Sequence, residues 1–181
     1  MTFRDLTADD IEVRVQSVKL NADKTPKGAL LLLYKTARTD MAILDEAVGA
    51  ENWQDKFYET KGIMFCSIGI NTNHGKPDAP DRWVWKSDAG TESNQDAEKG
   101  NASDARKRAG FAWGIGRELY TAPLIWVSAD KCRINNGKCH DRFEVEKIAV
   151  ENKRIVGLSI INSSIKADNI KEKRCFVWSL K

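Results

Sequence analysis

Apolar residues in this chain come in short, strand-length runs separated by polar turns, and that spacing constrains the fold more than any other feature. The longest run, Ala29 to Tyr34, falls far below the ~20 apolar residues of a membrane-spanning helix. From Ile11 to Leu20 the pattern alternates, with Ile11, Val13 and Val15 set between Glu12, Arg14 and Gln16. A period of two predicts a half-buried strand. Asn21 to Gly28 reads as a turn, and Ala29 to Lys35 as a second, more buried strand. Ile63 to Asn71 and Arg82 to Ser87 flank a turn with Gly75, Pro77 and Pro80, which predicts an antiparallel pair. Phe143 to Val150 and Arg154 to Ile161 flank Glu151-Asn152-Lys153 as a hairpin, and Arg174 to Leu180 closes the chain as a strand or arm.

Two stretches carry helical spacing instead. Thr39 or Asp40 is positioned to cap a helix on which Met41, Leu44 and Val48 recur, with Gly49 to end it. Asp88 to Ser103 reads mostly as loop, and Ser103 as the cap of a long helix reaching Tyr120, just before Pro123. The expected fold class is α+β: an antiparallel β-meander packed by a long helix. With 181 residues and no repeat or linker, a single domain over 1–181 is expected. Six tryptophans are too many for a disordered chain. Cys66 and Cys175 read as small core residues. The early mixed charges of the N-terminus lack the order of a signal peptide, so the expectation is a cytoplasmic protein.

A net charge of +3 does not by itself indicate a polyanion partner; the placement of the cations must. On a helix over 103–120, Ala105, Ala109, Ala112, Trp113 and Gly116 share a face whose small residues permit close approach to a sheet. Arg106 and Arg117 lie along the edge of that face, with Gly110 and Gly114 beside them, while Lys107 and Arg108 point further round. Cations beside unshielded backbone suit phosphates, which attract positive charge and accept N–H bonds. The alternative is a core helix with a solvated basic side. Trp83 and Trp85 share one strand face opposite Val84 and Lys86, and Tyr34 adjoins Lys35 with Arg38 close behind. Flat rings near cations can stack bases, although most aromatics serve the core.

The order of these motifs resembles the Rad-fifty-two family of single-strand annealing proteins, especially its small phage members of the Sak type. The residues that carry the likeness are Arg14 on a first strand, Leu33-Tyr-Lys-Thr-Ala-Arg38, Ala47-Val-Gly-Ala-Glu-Asn-Trp53, Gly90-Thr-Glu-Ser93, Lys99 and Ser103-Asp-Ala-Arg-Lys-Arg-Ala109. The likeness spans about residues 10–120, leaving 121–181 as a C-terminal hairpin with a terminal strand or arm. It implies a β-β-β-α core, ring-forming assembly of identical subunits, and an ATP-independent annealing activity on single-stranded DNA, with duplex DNA a possible second ligand. It also implies that Lys107, Arg108 and Arg14 line a DNA groove, that Tyr34 and Arg38 lie near its floor, and that Lys99 belongs to a second, outer site. For a phage-encoded protein the compartment would be the cytoplasm of a bacterial host. The tract Trp113-Gly-Ile-Gly-Arg-Glu-Leu-Tyr120 departs from the eukaryotic members, and no recombinase-recruiting tail follows, so the implied activity is annealing rather than mediation.

Enzymatic readings have weaker support. Gly110 to Gly116 lacks the Gly-Lys-Ser/Thr ending of a phosphate-binding loop, and His74 and His140 have no evident nucleophile partner. Cys132, Cys139 and His140, with Asp130 nearby, are poorly spaced for zinc, so a hairpin with incidental thiols is expected and no cofactor is assigned. A metal-dependent nuclease using Asp88, Glu92 and Asp96 is the alternative function, and a protein-interaction module is a third.

Overall fold

The computed structural model describes residues 1–90 and 97–180, the side chains of residues 97–99 excepted. In chain order the elements are β1 (Ile11–Leu20), β2 (Pro26–Lys35), α1 (Ala37–Val48), β3 (Trp53–Thr60), β4 (Ile63–Asn71), β5 (Trp83–Ala89) and α2 (Ala97–Trp113). There follow β6 (Ile125–Ser128), β7 (Ile134–Asn135), β8 (Lys138–Cys139), β9 (Phe143–Glu151), β10 (Arg154–Asn162), α3 (Ile170–Lys173) and β11 (Arg174–Ser179). The sheets pair antiparallel and the class is α+β, as the apolar spacing predicts. No helix among the described residues is long and apolar enough to cross a membrane.

The chain forms two compact units. The first unit comprises Met1–Asp5 and Lys35–Gly116, the second Leu6–Tyr34 and Arg117–Lys181. Strands from the two ends of the sequence pair with each other in the second unit, a long-range choice that local periodicity does not carry.

In the first unit, β3-β4-β5 form a three-stranded antiparallel sheet, and α2 packs on one face of it with α1 against α2. Helix α1 begins one turn earlier than expected. Its cap is Thr36, whose side chain accepts from the Thr39 amide at 3.3 Å, which leaves Asp40 inside the helix and buried. Ile43, Leu44 and Val48 form the buried stripe, while Met41 is exposed. Gly49 ends the helix as expected, at φ +85° with its amide on the Asp45 carbonyl. Cys66, Ile68 and Ile70 of the central strand are fully buried on the helix side.

In the second unit, six strands run in the order β11-β10-β9-β1-β2-β6. The edge strands β11 and β6 lie against one another, so the sheet is rolled. The expected hairpin of β9 and β10 turns at Asn152 and Lys153, both with positive φ, the geometry that tight hairpin turns require. Cys175 is buried as expected, and Glu146 ties β9 to β10 and β11 by accepting from Ser159 and from the Arg174 guanidinium. Strand β6 was not legible in the sequence, whereas the small β7–β8 hairpin falls between Cys132 and His140, where a hairpin is expected. A buried carboxylate holds the latter: Asp141 accepts from the Arg133 amide at 2.8 Å, Arg133 Nε at 2.9 Å and Asn162 Nδ2 at 2.8 Å.

Candidate nucleic-acid interface

The cations of α2 owe their placement to the small residues on its other side. Ala105 and Ala109 are completely buried, so the helix axis lies close to β4 and β5. Trp113 Nε1 donates to the Ile68 carbonyl at 2.9 Å. From β5, Lys86 donates to the Ala112 carbonyl at 3.1 Å and lies 4.6 Å from the Trp113 ring, placing positive charge at the helix C-terminus where it is stabilising.

Gly110 leaves room on α2 for a buried side chain of α1. A Cβ there would stand 2.5 Å from Asp40 Oδ1 and 3.1 Å from Lys35 Nζ. Lys35, expected to face DNA, is instead buried: its ammonium pairs with Asp40, donates to the Lys107 carbonyl at 3.0 Å and lies 4.2 Å from the Phe111 ring. An ammonium held by a carboxylate, a carbonyl and an aromatic face is satisfied internally and is withheld from an external anion. Burial pushes the Asp40 carboxyl up to about 6, against the opposing pull of Lys35, Lys107 and Arg106.

Arg106 is likewise turned inward. It meets Asp55 at 2.5 Å, and its guanidinium lies 5.1 Å from the Phe57 ring, both residues being on β3. The expected line of Arg106 and Arg117 along one helix does not form. Gly114 and Gly116 adopt φ of +100° and +74°, α2 stops at Trp113, and Arg117 opens a separate 3-10 turn in the second unit.

Lys107 and Arg108 stay partly exposed, Arg108 reaching Asp88 on the helix-facing side of β5. Lys107 is 25% exposed beside Asp104 at 3.5 Å, and Arg108 is 42% exposed beside Asp88 at 3.3 Å. Partly exposed pairs at such distances contribute little and can exchange partners readily. Arg38 is exposed on the first turn of α1. Lys99 belongs to α2, but its side chain lies outside the described residues, as do Thr91, Glu92 and Ser93 of the Gly90–Ser93 motif and Asp96.

The second unit carries Arg14, Tyr34 and Arg117. The Arg14 guanidinium lies 5.7 Å from the Tyr34 ring, and the Tyr34 hydroxyl donates to Glu12, a bond that raises the phenol to about 12. Both line a groove of about 550 Å³ together with Arg142 and Glu144. Arg142 was missed from the sequence because nothing local marks the segment after β8 as a groove wall. Lys56 was not singled out in the sequence, although it precedes Phe57 and Tyr58 on its strand.

Of the nuclease candidates, Asp88 is engaged by Arg108, and among the described residues no three His, Cys, Asp or Glu side chains are placed to hold a metal ion. Burial first, and then the neighbouring Cys139 thiol, push Cys132 up to about 12, so it is a protonated thiol at neutral pH. Comparison with protein-family models, curated proteins and solved structures finds no match.

Proposed function

We propose that this chain binds single-stranded DNA and anneals complementary strands in recombination and repair, without ATP, cofactor or catalytic residue. The observation that carries the reading is that Lys107 and Arg108 stay partly exposed, in loose pairs with Asp104 and Asp88, on a helix packed against β4 and β5 of an antiparallel sheet. The succession β3-β4-β5-α2 supports the resemblance drawn from the motifs. In this mechanism cations hold phosphates and leave base edges free, so a second strand tests pairing and hybridisation supplies the free energy. One chain offers few outward cations, and repetition of the site in an assembly of many copies, such as a ring, multiplies them into a track. The duplex product would be held through the same backbone contacts.

The test is annealing of complementary oligonucleotides with EDTA present and ATP absent. Lys107→Ala combined with Arg108→Ala should abolish the acceleration while leaving the melting curve and the sizing profile unchanged. Partly exposed ion pairs of this kind contribute about 0–1 kcal/mol, and the Lys107 carbonyl that serves Lys35 is backbone and survives the substitution. Wild-type annealing by the folded, assembled double variant would remove these residues as the DNA site.

A further inference from the structure

The face of the β3-β4-β5 sheet opposite α2 has a composition that the helix side does not share. Pairing across the strands places Gln54, Lys56 and Tyr58 of β3 with Phe65, Ser67 and Gly69 of β4 and with Trp83, Trp85 and Ser87 of β5. The acids of these strands, Asp55, Glu59 and Asp88, alternate onto the helix side, where Asp55 and Asp88 meet Arg106 and Arg108. The opposite face therefore carries four large aromatic rings, one lysine and hydroxyls, with no carboxylate among its described strand residues.

The rings are ordered. Trp83 and Trp85 stack with centroids 6.3 Å apart, and Tyr58 and Phe65 stack at 5.4 Å with 9° between their planes. Lys56 Nζ lies 4.4 Å from the Trp85 ring. Gly69 is required beneath that ring, because a Cβ there would stand 2.7 Å from its carbons. The surface is nonetheless open: Tyr58 is 44% exposed, and Lys56 and Gln54 are exposed beside it. A row used only for packing would bury its outermost ring and would not draw every carboxylate to the other side.

We infer that this face is a base-stacking platform for single-stranded nucleic acid, distinct from the cations of α2. Aromatic faces accept any base because every base has a π-face, and Lys56 supplies the charge that a phosphate seeks. A duplex offers no free base faces to such rings, so the platform selects single strands. Among the described residues Lys56 has no carboxylate counter-ion, and a polynucleotide neutralises it where an uncharged or basic partner surface would not. The inference rests on the reading that the ligand is single-stranded, and adds that bases as well as phosphates are held.

The experiment compares binding of an oligothymidylate with that of an abasic oligomer of equal length, read by anisotropy and by tryptophan fluorescence. The expected result is that wild type binds oligothymidylate at least about fivefold more tightly, the low end for one stacked base, with quenched emission. Tyr58→Ala and Trp85→Leu should remove that preference, and Trp85→Phe should retain it. Because Trp85 covers Gly69, Tyr58→Ala and Lys56→Ala serve as variants that leave the covered strand intact. Equal binding of the two oligomers, insensitive to these variants but lost in Lys107→Ala with Arg108→Ala, would overturn the platform and leave the proposed function standing. No binding of either oligomer would sink both. A smaller species in sedimentation with unchanged binding per chain would overturn it as well, assigning the face to contacts between copies.

Discussion

Lys35, Asp40 and Gly110 meet in a close contact between α1 and α2. A glycine inside a helix ordinarily costs about 1 kcal/mol relative to alanine. Here the relation reverses, because an added methyl would strike a buried carboxylate already held by Lys35. Gly110→Ala should therefore lower stability, by about 1–3 kcal/mol as for other overpacked sites, measured by urea unfolding. Asp40→Ala should cost more, about 3–5 kcal/mol, since it leaves the Lys35 ammonium buried without its counter-ion. Glu146 gives a prediction with a defined pH window. Hydrogen bonds from Arg174 and Ser159 lower its carboxyl from an ordinary 4.5 to about 2. The folded state thus binds the proton less readily than the unfolded chain. Its stabilisation is fully present above the unfolded value and is lost as pH falls through the folded one. The stability gap between wild type and Glu146→Gln should be largest above pH 4.5 and should close towards pH 2. A gap that widens on acidification would contradict the pairing.

At the level of elements, α2 separates what the sequence expresses from what packing imposes. Its buried alanines, Ala105 and Ala109, follow from helical spacing and are where that spacing puts them. Its ends do not follow. The first turns, from Ala97, lack an apolar stripe, and Gly90 after β5 approaches the helix so closely that a Cβ would stand 2.5 Å from the Asn101 carbonyl. The last turn stops at Trp113 because Gly114 and Gly116 take up positive φ, whereas the expected stop was the proline ten residues beyond Trp113. Glycine permits that conformation without demanding it, so the sequence alone leaves the helix free to continue. Gly114→Ala tests this cleanly, since an added Cβ would meet nothing within 4 Å and only the backbone pays. The expected loss is about 1–2 kcal/mol in a thermal or urea melt. The same logic explains the candidate site. Lys107 and Arg108 were legible as cations of the helix, but the inward turn of Arg106 depends on Asp55 and Phe57, which are about fifty residues earlier in the chain.

For the whole molecule, the proposed function predicts a salt dependence that reports on the number of phosphates held. Single-strand affinity should fall linearly on logarithmic axes, and removing Lys107 and Arg108 should reduce the slope by about 1.4, from roughly 0.7 per phosphate contact. Titration from low to moderate salt with an unchanged slope would place the contacts elsewhere. The strands of β1, β2, β4, β5, β9 and β10, and the α+β class, were determined by the sequence itself, because alternation and turn residues act within a few positions of one another, whereas 174–180 was open between strand and arm. Only the tertiary structure decided that β1 pairs with β9 across more than a hundred residues, that the chain divides into interleaved units, and that Lys35 is buried while Lys107 is not. The reason is physical: periodicity tells which side of an element is apolar, but which partner covers that side is settled by shape and by the pairing of buried charge, and both depend on residues far away in the sequence.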